Sequence, residues 1–69
     1  MELGLTKREA EVLQLAMQGK TNGEMARLLV LSRRTVEKHM EHIRQKFEVE
    51  TRTAAVAKAQ HGLPVSKRL

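Results

Sequence analysis

Between residues 33 and 47 the chain reads RRTVEKHMEHIRQKF, which sets Glu37, His39, Glu41 and His42 close together among five basic side chains. These residue types support three kinds of chemistry. Imidazoles with a carboxylate can hold a metal ion, paired carboxylates can move protons, and mixed acids and cations can read the donors and acceptors on nucleobase edges. His39 and His42 are three apart and could share an ion. A metal site needs at least a third ligand in register, however, and Glu41 projects well away from that pair. Catalysis lacks its parts too: no serine or cysteine sits beside a base and no glycine-rich phosphate loop is present. Glutamates without a pocket also lack the burial that tunes their pKa. The chain is therefore expected to be no enzyme, with no metal and no cofactor.

Composition narrows the remaining reading. Sixty-nine residues make at most one domain, near the size where a single core only just offsets the entropy of ordering the chain, so a large enclosed pocket is not expected. With no cysteine and one proline, the fold must hold by apolar packing alone, which suits a reducing cytoplasm. No run approaches the roughly 18 to 20 apolar residues that span a bilayer, so no membrane association is expected. Thirteen Lys and Arg against eight Glu leave a formal net charge of +5, which favours a polyanionic partner. Phe47 is the lone aromatic. Single strands and RNA loops are usually gripped by aromatic platforms for stacked bases, so their absence favours a duplex.

The elements that must carry these residues can be read from their ends. Thr6 with Glu9 and Thr21 with Glu24 are two capping boxes, and Leu5 before the first can staple onto Ala10. Helical spacing of Ala10, Val12, Leu13, Ala16 and Met17 up to Gly19 predicts a helix over about 7–18. A short second helix over 22–29 turns Met25, Ala26 and Leu29 inward. Ser32 caps a third over 33–47, whose Val36, Met40, Ile43 and Phe47 share one side. Thr51 opens a fourth over 52–61, through Val56 and Ala59, ending at Gly62 with Pro64 beyond. Nothing alternates with period two. The expected fold is all-α, a compact four-helix domain over residues 5–63, with tails at 1–4 and 64–69.

The link between the second and third helices is too short for parallel axes and suits a steep crossing. Ala26 at the crossing, Val30 at the bend and Val36 ten positions after Ala26 have helix-turn-helix spacing. Residues 5–59 resemble the LuxR-type (GerE-like) four-helix DNA-binding domain. The likeness lies in Leu5-Thr6, Arg8-Glu9, Glu11-Val12-Leu13, Gly19, Thr21-Asn22, Glu24, Ala26, Leu29, Ser32, Thr35-Val36, His39, Ile43, Lys46, and Arg52-Thr53 to Ala55-Val56. The resemblance implies a transcriptional regulator domain that binds duplex DNA, usually as a dimer, at the C-terminus of response regulators or ligand-sensing activators. A fragment of a longer regulator is therefore expected, with no small-molecule ligand in this domain. Three positions depart from the pattern. Val30 stands where Gly is frequent, and its branched β-carbon would resist a left-handed backbone, so the turn should avoid that conformation or be slightly strained. Glu48 stands where Gly or Asn is frequent, so the cap should come from elsewhere. Ala54 replaces a common Glu, leaving the fourth helix only Thr51.

With the core stripe inward, Arg34, Lys38, Glu41, His42 and Gln45 face out, with Glu37 and Arg44 on one flank. A helix of this kind enters the major groove with its N-terminal half deepest, so Glu37, Lys38 and Glu41, with Arg34 beside them, are the expected base readers. Lys can donate to guanine O6 and N7, and Glu can accept from the cytosine amino group. Solvated intrahelical pairs of Glu41 with Arg44 or Lys38 are the alternative. Phosphates are assigned to the helix openings at Thr21-Asn22 and Ser32 and to Lys20, Arg33, Thr35, His42, Arg44 and Lys46. His39 is expected to be packed and hydrogen-bonded at the core edge, and Glu9 and Glu24 to be caps. The resemblance further implies a homodimer through the fourth helix, with Ala54, Ala57, Lys58 and His61 as its outer side, and RNA polymerase as a further partner. The competing reading is a small helical interaction module that docks on an acidic protein.

Overall fold

The computed structural model describes residues 4–62, with side chains through Gln60. Among the described residues the regular structure is four helices: α1 (Lys7–Met17), α2 (Asn22–Leu29), α3 (Arg33–Phe47) and α4 (Arg52–Gly62). Residues 64–69 and the side chain of His61 lie outside the described residues, as do the first three residues of the expected N-terminal tail.

Each helix starts where a side-chain oxygen meets an orphan amide. Thr6 Oγ1 accepts from the Glu9 amide at 3.2 Å while Glu9 Oε1 accepts from the Thr6 amide at 2.9 Å. Thr21 and Glu24 repeat the exchange at 3.1 and 2.8 Å. Ser32 Oγ takes the Thr35 amide and Thr51 Oγ1 the Ala54 amide, both at 3.0 Å. Such caps contribute about 1 kcal/mol each. The staple is different from the expectation: Ala10 is exposed, and Leu5 packs on the core instead.

The helix ends correct one expectation and decide between the two alternatives of another. Val30 adopts φ 56°, ψ 50° and Glu48 φ 59°, ψ 43°, both left-handed, so the turn does not avoid that conformation and Glu48 is its own cap. All three interhelical closures have the same form. The residue after the left-handed position donates back five residues: Lys20 to Leu15 O at 3.1 Å, Leu31 to Ala26 O at 2.8 Å, and Val49 to Arg44 O at 3.0 Å. Only the first closure has glycine, Gly19 at φ 86°. A left-handed non-glycine residue costs about 1–2 kcal/mol. The closing hydrogen bonds, near 1 kcal/mol each, and the packing of Leu31 and Val49 against the core offset that cost.

The core is built around α3. Val36, Met40, Ile43 and Phe47 are buried against Val12, Leu13 and Ala16 of α1, Met25 and Ala26 of α2, and Ala55 and Ala59 of α4. The helix therefore packs on each of the other three with one side, and among the described residues the other side is uncovered. On α4, Ala55 and Ala59 are buried and Val56, half-buried, packs against the core. His39 is half-buried with Nδ1 shielded from solvent and unpartnered among the described residues, so the expected hydrogen bond is not made there.

Candidate nucleic-acid interface

The free side of α3 is set by its core stripe. With Val36, Met40 and Ile43 pointing in, the helical period turns Arg34, Glu37, Lys38, Glu41 and Gln45 out, and all five are exposed. Among the described residues no ion pair or side-chain hydrogen bond engages Glu37, Lys38 or Glu41; the pairs present are Arg8 with Glu11 and Glu9 with Lys46 and His42. The solvated pairing of Glu41 with Arg44 or Lys38 is thus not formed. Arg44 instead donates to the Glu50 carbonyl at 3.1 Å, so its charge is drawn toward the end of its own helix.

The two helix openings flank this face. In α2 the Thr21 amide, expected to be open, is taken by Glu24, and among the described residues the amides of Asn22 and Gly23 have no partner. The Thr21 backbone contact to Glu24 is the largest influence holding that carboxyl below the ordinary value, and it outweighs the opposing effect of burial. In α3 the Ser32 hydroxyl caps Thr35, touching its amide and, at 2.9 Å, its hydroxyl, which leaves the amides of Arg33 and Arg34 open. Between the openings runs a cleft of about 530 Å³ that Lys20, Asn22, Gly23, Arg33, Glu37 and Arg52 line.

Arg52 was not among the expected site residues. Its guanidinium donates to Asn22 Oδ1 at 2.7 Å and to the Lys20 carbonyl, tying the start of α4 to the start of α2. The sequence carries one faint signal of this. A cation in the first turn of a helix opposes the helix dipole, and such a residue is expected to find its partner elsewhere. Asn22, expected at a phosphate, accordingly has its side-chain oxygen occupied and offers its amide.

Two expected phosphate ligands have other partners. Lys46 donates to Glu9 Oε1 at 2.7 Å and to the Gly4 carbonyl at 2.9 Å, which also anchors a residue assigned to the tail. His42 Nδ1 lies 3.5 Å from Glu9 Oε2. Both side chains come from α3 and reach α1, because Glu9 is buried on the helix face that α3 covers. On α4, Ala57 is exposed and Ala54 half-buried, while Lys58 donates to the Phe47 carbonyl at 2.8 Å and so caps α3 instead of pointing away.

Comparison with known proteins meets this geometry. Residues 3–59 match the family described as bacterial regulatory proteins, luxR family. The quorum sensing-dependent transcriptional regulator RpaR of Rhodopseudomonas palustris is 49% identical over 55 residues, 80% of this chain and 23% of that protein. The spore germination protein GerE of Bacillus subtilis is 46% identical over 52 residues, 75% of this chain and 70% of GerE. A crystal structure of the phage VqmA-DPO complex superposes with a TM-score of 0.86 at 32% identity, covering 99% of this chain and 31% of that one. The chain thus spans about a quarter of the length of RpaR and most of the length of GerE. Four helices with a helix-turn-helix, a free third-helix face and a family match over most of the chain lead to one statement: the protein belongs to the luxR family of bacterial transcriptional regulators.

Proposed function

We propose that the domain binds duplex DNA sequence-specifically, with α3 in the major groove and Glu37, Lys38, Glu41 and Arg34 against base edges. The observation that carries this reading is the outer side of α3, where an ammonium and two carboxylates stand exposed with no partner among the described residues. A lysine supplies donors for guanine and a glutamate an acceptor for cytosine, so neighbouring G and C on opposite strands suit the trio. Carboxylates near phosphates are unfavourable unless they find an amino group, and so they sharpen selectivity while lowering general affinity. Backbone phosphates are met by the open amides of Asn22, Gly23, Arg33 and Arg34, and by Lys20, Arg33, Thr35 and Arg44. Lys46 and His42 contribute at longer range from their places beside Glu9.

Two copies pair through Ala54, Ala57 and neighbouring α4 residues on a two-fold operator, with half-sites about one helical turn apart. Retention of a randomised duplex pool at rising salt, followed by sequencing, tests the proposal. With about five phosphates neutralised per domain, log affinity falls against log salt with a slope of roughly −4 to −5, doubled for a dimer. A flat salt response, or retention of every sequence alike, refutes it. So does a Lys38→Ala variant that selects the same sequences with the same affinity.

A second reading is favoured by one further feature. On and just after α2, Leu28 is 58% and Val30 88% exposed, beside the cation Arg27. Large apolar side chains in that setting suit a protein partner of acidic character, such as a subunit of RNA polymerase. Leu28→Ser tests it: loss of transcription activation with unchanged DNA binding supports such docking, and unchanged activation removes it.

A further inference from the structure

Gly23 occupies the second position of α2, and its backbone is helical, not left-handed, so the conformation asks for no glycine. Most residues with a β-carbon would form the helix better there. What the missing side chain provides is room. A β-carbon at Gly23 would lie 3.1 Å from Arg33 Nη2 and 3.3 Å from Arg33 Nε. The Arg33 guanidinium therefore lies across the first turn of α2, beside the open amides of Asn22 and Gly23. Among the described residues Arg33 makes no side-chain hydrogen bond and no ion pair, although Glu37 lines the same cleft. Donors from two helices thus converge on one space, and the Arg33 guanidinium has no partner there among the described residues.

We infer that Gly23 is a positioning residue: the absence of its β-carbon holds the Arg33 guanidinium over the start of α2, where the two close on one backbone phosphate of duplex DNA. This rests on the DNA-binding reading above and gives the missing side chain of Gly23 a role besides that of its amide. Arg33 is a flexible side chain, so a methyl group at position 23 displaces it by little and a larger side chain by more. Affinity should therefore fall in the order Gly, Ala, Leu while the helix itself gains.

The test uses a short end-labelled duplex of mixed sequence, whose binding reports phosphate contacts irrespective of operator. Gly23→Ala and Gly23→Leu are measured alone and combined with Arg33→Ala. Each Gly23 variant is expected to unfold at or above the original temperature. Affinity is expected to fall by roughly three- to tenfold, with the salt slope shallower by about one. In the Arg33→Ala background, neither Gly23 substitution should weaken binding further. A loss that persists without Arg33 means that the added side chain meets DNA directly and overturns the inference. Gly23 variants that bind normally while Arg33→Ala weakens binding also overturn it, leaving the phosphate contact standing. Failure of the unsubstituted protein to bind the duplex at any salt defeats the DNA-binding reading itself.

Discussion

Glu9 is the side chain whose removal should be felt most widely for a single charge. Its carboxylate is 4% exposed and serves three groups: the Thr6 amide at the start of α1, Lys46 Nζ at 2.7 Å and His42 Nδ1 at 3.5 Å, both on α3. Glu9→Gln keeps an oxygen for the Thr6 amide and deletes the charge between the helices. Breaking a fully buried pair costs about 3–5 kcal/mol and an exposed one under about 1 kcal/mol. Lys46 is 37% and His42 47% exposed, so both side chains are re-solvated when Glu9 is lost. The substitution should accordingly cost about 1–2 kcal/mol, and Glu9→Ala about 1 kcal/mol more through the lost capping box. A domain of this size has only about 4–10 kcal/mol in total, so the melting midpoint should fall by about 5–15 °C.

The pH dependence separates the charge from the packing. Burial pushes the Glu9 carboxyl up, but the Lys46 hydrogen bond, the Thr6 amide and the charges of Lys46 and His42 together outweigh it and hold the group below 4.5. Because the folded pKa is the lower one, the contribution is complete above the unfolded pKa and fades as pH falls through the folded value. The gap between the unsubstituted protein and Glu9→Gln should then be full at neutral pH and shrink as the pH falls below the ordinary carboxylate range. Since the chain has no Trp or Tyr, urea unfolding is followed by helical circular dichroism. A gap below about 0.5 kcal/mol at neutral pH, or one that persists unchanged in acid, would refute the assignment of this carboxylate as the tie between α1 and α3.

Other perturbations report on other parts of the fold. Val30→Gly relieves a left-handed valine that is 88% exposed, so no packing is lost; the gain after glycine's own entropy is about 0.5–1 kcal/mol, and a lower melting midpoint would contradict it. Arg52→Ala frees the start of α2, and amide exchange at Met25 should quicken relative to α3; equal rates would mean that the guanidinium holds nothing. Ile43→Ala leaves a cavity where α3 meets the rest of the core and should cost about 2–5 kcal/mol in urea unfolding, whereas a cost under about 1 kcal/mol would place Ile43 outside that core.

Element starts were legible because their chemistry is local. A Thr with Glu three residues on, or a Ser or Thr before a helical stripe, satisfies orphan amides within one turn, and all four starts appear where that pattern lies. The stripe of Val36, Met40, Ile43 and Phe47 fixed which side of α3 faces the core, and the exposed side followed from the helical period alone. One helix end, at Glu48, was misjudged, and at Val30 the strained one of the two expected alternatives is realised. Val30 and Glu48 are poor left-handed residues when considered singly, and what holds them there is the packing of Leu31 and Val49 against residues distant in sequence.

The amino-acid order by itself thus determined the number and type of helices, their starts, and the side chains that α3 turns outward, because caps and helical periodicity act over three or four residues. Which cations remain free was decided by the tertiary structure alone. Lys46, Lys58 and Arg52 look alike on a charge count, yet their partners are Glu9, the Phe47 carbonyl, Asn22 and the Lys20 carbonyl, contacts across 11 to 37 positions of chain. The Arg33 guanidinium over Gly23 is likewise a product of the crossing of α2 and α3. A long flexible cation reaches several ångströms in any direction, so its partner depends on where the backbone has brought other helices, and no local rule of spacing encodes that.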